Sequence, residues 1–226
     1  MHIMHTVYVG ELWLAAGQSN MEYRLDWEKT GAEEMANAND NYMRILHMNG
    51  NPVGSTPVEP ARYDIAGANW VDATSGSNIA AMSANGYYAA KVMRQKLDVP
   101  VAIINAALGS TNIQTWLSRE SIEANEVVKT ALQRNALYKT QQQSATEAGD
   151  YRHITAMFNT KIAPLSGLNV GGVLWCQGES NVDGKPNETG FYNAAIKTLA
   201  SSYGKVLGHE NGDMPLIVIN IANQPY

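Results

Sequence analysis

The chain has 226 residues, of which 45% are hydrophobic and 16% are charged, and its net charge is −5. This length and balance predict one globular domain with a single sizeable core. No basic stripe is present for a nucleic-acid backbone or an anionic membrane surface, and no apolar run in the sequence is long enough to span a bilayer. Cys176 is the single cysteine, so no intrachain disulfide can form, and its apolar neighbours predict a buried side chain.

Five short apolar or β-branched runs predict strands. Four of them are continuous rather than alternating, which is typical of strands buried on both faces of a parallel sheet. Helical periodicity lies between them, so we expect a three-layer α/β/α fold with a mainly five-stranded parallel sheet in the flavodoxin-like order 2-1-3-4-5. The five runs are residues 11–16, 43–47, 101–107, 171–176 and 216–221.

Three helices are predicted from apolar stripes. One covers residues 88–97 and has Ser83 placed to cap it, one covers residues 192–203, and one covers residues 127–139 after a lead-in at residues 117–118. The stretches 49–81 and 141–150 are rich in small polar residues, glycine, proline or glutamine. We expect both of these stretches to be surface loops.

Three of the predicted strands are followed by unusual residues. The first strand leads into Gly17, Gln18 and Ser19, where a glycine lets the backbone turn sharply and present the serine hydroxyl. The third strand leads into Gly109, whose N–H can approach a ligand oxygen without a side chain in the way. Taken singly, each of these two motifs is more typical of a simple turn or a helix cap than of a catalytic site.

The fourth strand leads into Gln177, Glu179 and Asn181, which are polar side chains that need partners if they are buried. Ligands bind beyond the carboxyl ends of strands in doubly wound sheets. Together the three loops offer a nucleophile, Ser19, and donors for a developing oxyanion, so the combination predicts acyl transfer.

At these motifs the sequence resembles the sialate O-acetylesterase family of the SGNH hydrolase superfamily. Residues 10–14 and 17–22 resemble the first conserved block of that family, and residues 83–89 resemble the helix before the second block. The remaining similar segments are residues 99–104 and 109–116 for the second block, and residues 158–165 and 171–181 for the third. The resemblance spans residues 10–223.

The resemblance implies hydrolysis of acetyl esters on sugars without a metal or a cofactor. By position, Ser19 is then the nucleophile, and the N–H groups of Ser19 and Gly109 form two parts of the oxyanion hole. Gln177 is assigned as the third donor, with Asn181 as the alternative. Glu179 is expected to order its loop rather than to act as a base, and Gln18 and Asn20 are expected to support the site.

The catalytic histidine of the family lies in a late block, with an aspartate a few residues before it in many members. We expect that block beyond Tyr226, so that the given chain lacks it and turns substrate over slowly or not at all. His153 has an aspartate three residues before it, but it lies in a linker-like segment before the third block. His47 follows a strand without an obvious acidic partner, and His209 is predicted at the opposite end of the sheet.

The sequence leaves three functions open, which are a sialate or plant-polysaccharide acetylesterase, another ester hydrolase of the same superfamily, and a non-catalytic sugar-binding module. Tyr23, Trp27 and Trp116 follow the first two motifs and indicate sugar contacts or core packing. Both ends fall on predicted strands, so residues 1–226 are interpreted as one hydrolase domain cut from a longer chain, without the β-rich regions common in the family. The resemblance favours a secreted or periplasmic protein, although the first residues do not form a signal peptide.

Overall fold

Each of the five predicted runs forms a strand, and together with one further strand they make a single six-stranded sheet. The computed structural model describes residues 7–48, 57–64, 67–209, 211–212 and 214–220, so Ile221 of the last predicted run lies outside the described residues. The strands are β1 (Glu11–Gly17), β2 (Asp40–His47), β3 (Asn69–Ala73), β4 (Val101–Asn105), β5 (Gly172–Cys176) and β6 (Leu216–Val218).

The strand order is β3-β2-β4-β1-β5-β6, which corrects the predicted flavodoxin-like order. β4 is the third predicted strand, and it lies between β2 and β1. The flavodoxin-like order would instead place β1 between β2 and β4. β1 therefore pairs in parallel with β4 on one side and with β5 on the other. β3 pairs antiparallel with β2 at one edge, and the other strand pairs are parallel.

Helices cover both faces of the sheet. They are α1 (Ser19–Glu22), α2 (Gly31–Ala36), α3 (Gly76–Ile79), α4 (Ala84–Leu97), α5 (Arg119–Ala124), α6 (Glu126–Arg134), α7 (Gln141–Thr146), α8 (Glu179–Val182) and α9 (Phe191–Val206). A π-helical turn at Phe158–Ile162 and short 3₁₀ turns at Leu25–Trp27, Ile113–Trp116 and Ala163–Leu165 complete the regular structure.

Alternation along the strands divides the core into two layers. Leu14 of β1 belongs to the buried cluster that contains residues of α5, α6 and α9, whereas the next residue, Ala15, belongs to the cluster that contains residues of α1 and α4. The same alternation separates Trp175 from Cys176 on β5. This arrangement confirms the three-layer α/β/α prediction, and Cys176 is buried as expected.

The helix predictions were right in position and differ at the ends. Ser83 caps α4 by accepting the Gly86 N–H at 3.1 Å, as predicted. The predicted helix over residues 127–139 stops at Arg134. It is preceded by a separate helix, α5, which Ser118 of the predicted lead-in caps. Two stretches predicted as loops contain regular structure, because β3 and α3 lie within residues 49–81 and α7 lies within residues 141–150.

Among the described residues no helix has both the length and the apolar character needed to cross a bilayer. Nor do the described histidine, cysteine, aspartate and glutamate side chains form a cluster of three or more that could hold a metal ion.

Candidate functional site

The three motif-bearing loops follow β4, β1 and β5, which are neighbours at the centre of the sheet. The carboxyl ends of parallel strands lie at the same edge, so the three loops meet there. Gly17 ends β1 with φ at +138°, a value that L side chains rarely adopt. A Cβ on Gly17 would lie 2.1 Å from the Cys176 carbonyl oxygen, and that oxygen accepts the Gln18 N–H at 2.9 Å. The chain can turn here, close against β5, because residue 17 has no side chain.

This turn presents Ser19 to solvent. Ser19 is exposed and is the first residue of α1, while Gln18 before it is buried at 3% exposure. No described residue accepts the Ser19 backbone N–H or bonds to its hydroxyl. An N–H at the start of a helix has no partner within the helix, so this donor is available to a ligand oxygen.

Gly109 faces Ser19 from the loop after β4. A Cβ built on Gly109 would lie 3.7 Å from the Ser19 Cβ, so the two residues face each other directly. The Gly109 N–H donates to Glu22 Oε2 at 2.6 Å. Glu22 is on the same helical turn as Ser19, three residues later, and was not identified from the sequence. The spacing of three residues on a helix was the available signal, since it places both side chains on one face.

Gln177 lies in a network of side-chain amides. It is 3% exposed, and its Nε2 donates to Gln18 Oε1 at 3.0 Å, to the Thr111 carbonyl at 3.0 Å and to Asn181 Oδ1 at 2.9 Å. Its Oε1 is buried without a hydrogen-bond partner among the described residues. Two amide hydrogens thus face three acceptors, so donation from Gln177 to an oxyanion requires it to give up one of these partners.

The acceptors around Gln177 are oriented by backbone donors. Gln18 Oε1 accepts the Ser180 N–H at 3.1 Å, and Asn181 Oδ1 accepts the Ile113 N–H at 2.9 Å. Since a backbone N–H can only donate, these contacts fix which end of each amide is the oxygen. The orientation of the Gln177 amide follows from them.

Asn181 ties the second loop to the third. In addition to the contacts above, its Nδ2 donates to Gln114 Oε1 at 3.1 Å, and Asn112 Nδ2 donates to the Ser180 carbonyl at 2.6 Å. Asn181 is 4% exposed, so these bonds are shielded from water. The loops after β4 and β5 are therefore held in one fixed arrangement.

Glu179 and Asn20 join the first loop to the third. Asn20 Nδ2 donates to Glu179 Oε1, and Asn85 Nδ2 on α4 donates to the Asn20 carbonyl at 3.0 Å. The second oxygen of Glu179 is buried without a hydrogen-bond partner among the described residues. Glu179 thus accepts a hydrogen bond from a neighbouring loop and makes no described contact with a histidine or with Ser19.

Lys161 is a buried cation beneath the site that sequence reasoning missed. It belongs to the π-helical turn, is 1% exposed, and donates from Nζ to the carbonyls of Met48 at 2.9 Å and Ala107 at 3.4 Å. Burial lowers the pKa of Lys161 to about 8, and the negative charge of Glu22 acts in the opposite direction. Lys161 follows the polar residues Asn159 and Thr160, so the local hydrophobic pattern did not predict its burial.

The described histidines do not contact Ser19. His47 ends β2 and is 7% exposed, with Nε2 3.4 Å from the Asn78 carbonyl, and burial lowers its pKa. His209 Nε2 lies 2.7 Å from the Val170 carbonyl, just before β5 and therefore at the opposite end of the sheet, as predicted. The His153 N–H bonds to the Asp150 carbonyl, and no described contact links its ring to the Asp150 carboxylate. His2 and His5 lie outside the described residues.

The aromatic residues near the motifs have different surroundings. Trp116 is fully buried, packs edge-to-face on Trp175 at 5.8 Å and donates to Thr111 Oγ1 at 3.0 Å, so it belongs to the core. Tyr23 and Trp27, which directly follow α1, are 41% and 60% exposed. Trp116 therefore cannot contact a sugar, whereas Tyr23 and Trp27 are exposed enough to do so.

A cavity of about 440 Å³ borders the site. Its lining includes Gln177, Asn181, Tyr192, Val218 and Ile219. A second cavity of about 660 Å³ lies between α5, α9 and the segment after the π-helical turn, and none of the predicted site residues lines it. Neither Ser19 nor Gly109 is among the residues that line these two cavities.

The arrangement has the parts of an acyl-transfer site. An exposed serine hydroxyl lies beside its own N–H, which has no partner among the described residues, and Gly109 of the next loop faces Ser19 while its N–H donates to Glu22. Such donors stabilise an oxyanion best when they are fixed before reaction, and the amide network fixes these loops. Within the described part of the chain, no acid or histidine completes a hydrogen-bonded pair with Ser19.

Comparisons with known proteins agree on one family. The family model described as carbohydrate esterase, sialic acid-specific acetylesterase, matches residues 9–226. The sialate O-acetylesterase of Pongo abelii is 29% identical over 207 residues, which is 88% of this chain, and that of Homo sapiens is 28% identical over 207 residues. The chain spans 36% of the length of each of these two relatives.

The fold of this chain is similar to that of a solved structure. The crystal structure of a carbohydrate acetylesterase from Xanthomonas citri matches with a TM-score of 0.73 at 25% identity, and the match covers 92% of this chain and 41% of that one.

Proposed function

The chain belongs to the sialic acid-specific acetylesterase family of carbohydrate esterases, and from that premise we propose that it is a serine-dependent carbohydrate O-acetylesterase. One observation carries the proposal. Ser19 is exposed on a turn that Gly17 makes possible, its own N–H has no partner among the described residues, and Gly109 faces it. Because the chain spans little more than a third of its relatives, the reaction is argued from these residues rather than transferred from them.

The reaction begins when Ser19 Oγ attacks the carbonyl carbon of an acetyl ester and its proton passes to a base. The carbonyl oxygen becomes an oxyanion that accepts the N–H groups of Ser19 and Gly109, with the Gln177 amide as third donor. The bond between the acyl carbon and the sugar oxygen then breaks, and the sugar leaves with a proton on that oxygen. Water attacks the acetyl-Ser19 ester and releases acetate.

Two changes in the resting site accompany this step. Gly109 donates to Glu22 in the free protein, so the Glu22 carboxylate must give up that N–H to the oxyanion. Gln177 must likewise release one of its three acceptors. The base is the histidine that the family resemblance places in a late block, and such a base contributes about 10²–10⁴-fold to the rate.

Hydrolysis of p-nitrophenyl acetate and of acetylated sugars tests the proposal directly. We expect Ser19→Ala to reduce hydrolysis to the buffer rate, while Ser201→Ala, which changes an exposed serine on α9, leaves it unchanged. Hydrolysis that persists in Ser19→Ala would remove Ser19 from the mechanism.

The lack of any described histidine contact to Ser19 favours a second candidate, a sugar-binding module without turnover. In that case the protein does not hydrolyse esters, and it binds acetylated oligosaccharides with an affinity that Ser19→Ala does not change. Titration calorimetry beside the hydrolysis assay separates the two functions.

A further inference from the structure

We infer that Glu22 is a resident carboxylate that occupies the oxyanion position in the free protein, and that a small free carboxylate such as acetate binds there when the Glu22 side chain is shortened. We call this position, between Gly109 and Ser19, the carboxylate site. Acetate is named because it is the product of the proposed reaction, so this part of the inference rests on the proposed function. Glu22 then keeps free acetate out of the resting protein.

The Glu22 carboxylate lies directly in front of the Gly109 N–H. Its Oε2 accepts that N–H at 2.6 Å and lies 2.8 Å from a Cβ built on Gly109, while the Ser19 Cβ lies 3.7 Å from the same point. A carboxylate oxygen and the nucleophilic residue are thus both within 4 Å of one point beside Gly109. Oxyanion-hole donors lie roughly 2.7–3.1 Å from the oxyanion, so Glu22 Oε2 stands at about the distance from this N–H that the oxyanion will take.

A single hydrogen bond holds this carboxylate in place. In the described part of the chain Glu22 makes no ion pair, and the Gly109 N–H is the only group that donates to its side chain. Glu22 is half-buried, so water can solvate the carboxylate when it leaves Gly109. The side chain can therefore rotate away, whereas a fully buried ion pair would hold it.

The loop that carries Gly109 has supports other than Glu22. The Leu108 N–H donates to the Gly17 carbonyl at 3.0 Å, and Thr111 Oγ1 donates to the Leu108 carbonyl at 2.7 Å. These bonds fix the backbone on both sides of Gly109. Removal of the Glu22 side chain should thus leave Gly109 in place, with an N–H that lacks an acceptor.

A buried cation interacts with the charge at the carboxylate site. Lys161 is 1% exposed and donates to the carbonyl of Ala107, two residues before Gly109. Burial lowers the pKa of Lys161 and the Glu22 carboxylate opposes this lowering, so the two charges interact. A free carboxylate in the place of Glu22 would keep this interaction, which an empty site loses.

NMR titration of the Gly109 amide with sodium acetate tests the inference, with sodium chloride keeping the ionic strength constant. Glu22→Ala should shift the amide proton upfield, and acetate should return it downfield with saturation, since a carboxylate oxygen again accepts the N–H. We expect acetate to bind this variant at least about tenfold more tightly than the wild-type protein, in which Glu22 competes. Glu33→Ala, which removes an exposed carboxylate on α2, should behave like the wild type.

Glu22→Asp is the matched variant, because it keeps the charge on a side chain that is shorter by one C–C bond, about 1.5 Å. Its Gly109 resonance should shift upfield as in Glu22→Ala, while the remaining charge weakens acetate binding. Glu22→Gln keeps the length without the charge and should bind acetate with an affinity between those of the wild type and Glu22→Ala. Acetate that leaves the Gly109 resonance unmoved in both Glu22→Ala and Glu22→Gln, or moves it equally in the wild type, overturns the inference.

Kinetics separate the inference from the proposed function. Acetate should inhibit hydrolysis of p-nitrophenyl acetate competitively, with an inhibition constant at least about tenfold lower in Glu22→Ala than in the wild type. A fall in kcat/KM of about tenfold in Glu22→Ala, without stronger inhibition by acetate, would make Glu22 a positioning residue and overturn the inference. If no ester is hydrolysed but acetate binds Glu22→Ala, the carboxylate site stands without the esterase function. If Ser19-dependent hydrolysis is seen and acetate binds neither protein, the esterase stands without the carboxylate site.

Discussion

Gly17→Ala should destabilise the fold and displace Ser19. Residue 17 has φ at +138°, and an added Cβ would lie 2.1 Å from the Cys176 carbonyl oxygen, 2.7 Å from its carbon and 3.0 Å from its nitrogen. These are backbone atoms of the neighbouring strand β5, so the contact is relieved only by moving β1 away from β5. Such movement also weakens the Gln18 N–H bond to the same oxygen.

The expected loss in free energy of unfolding is about 3 kcal/mol. Backbone strain at such a φ contributes roughly 1–3 kcal/mol, and a weakened hydrogen bond adds about 1 kcal/mol. Gly190→Ala is the matched control, because Gly190 has φ at +86° with no atom within 4 Å of its added Cβ. It should cost only about 1 kcal/mol, from the backbone conformation alone.

Chemical denaturation followed by circular dichroism measures both variants, and p-nitrophenyl acetate hydrolysis measures the position of Ser19. A 1 Å displacement of a reacting group can cost about 10²-fold in rate, so Gly17→Ala should lose activity even where it remains folded. The reasoning is refuted if Gly17→Ala is no less stable than Gly190→Ala and retains its activity.

Three further predictions concern the buried groups of the site. Burial lowers the pKa of Lys161 from 10.5 to about 8, so the unfolded chain binds more protons between these values and Lys161 makes the free energy of unfolding rise with pH. Between about pH 7.5 and about pH 9.5, the free energy of unfolding of the wild-type protein should rise, and that of Lys161→Met should lack this rise. The same pH dependence in both proteins would contradict this. Asn181→Leu should cost roughly 3 kcal/mol, because it leaves the Ile113 N–H buried without an acceptor, whereas Leu at the exposed Asn187 should cost little. Glu22→Gln should move the Gly109 amide proton upfield in NMR spectra, since a charged acceptor at 2.6 Å is replaced by a neutral one, and an unmoved resonance would show that the bond is absent in solution.

The α/β class and the position of the site could be predicted because both depend on local patterns. Continuous apolar runs identify buried parallel strands, and the residues that follow them lie at one sheet edge whatever the strand order. The order itself depends on which side of β1 each crossover connection returns, and the hydrophobic pattern is the same for both choices. The prediction therefore placed β1 beside β2, where the structure has β4 between them.

The missed elements have weak sequence signals. β3 is an edge strand whose residues are mostly half-buried or exposed, with Trp70 52% exposed, so it has no continuous apolar run. α7 is made of glutamines and small polar residues, and Thr140 supports it with a capping box that the composition obscured. Glu22 and Lys161 were missed because their roles depend on contacts with Gly109 and Ala107 from another loop.

The amides that join the three loops bear on any pH–rate profile measured for this protein. Gln18, Gln177, Asn181 and Gln114 are carboxamides, which neither gain nor lose protons across the working pH range, and their other partners are mostly backbone groups. The part of the frame that these amides build is therefore insensitive to acid. The carboxylates of the frame are Glu22, which accepts the Gly109 N–H, and Glu179, which accepts a hydrogen bond from Asn20. An inflection in kcat/KM that persists in Glu22→Gln and in Glu179→Gln will therefore report the base that accepts the serine proton rather than a change in the scaffold around it.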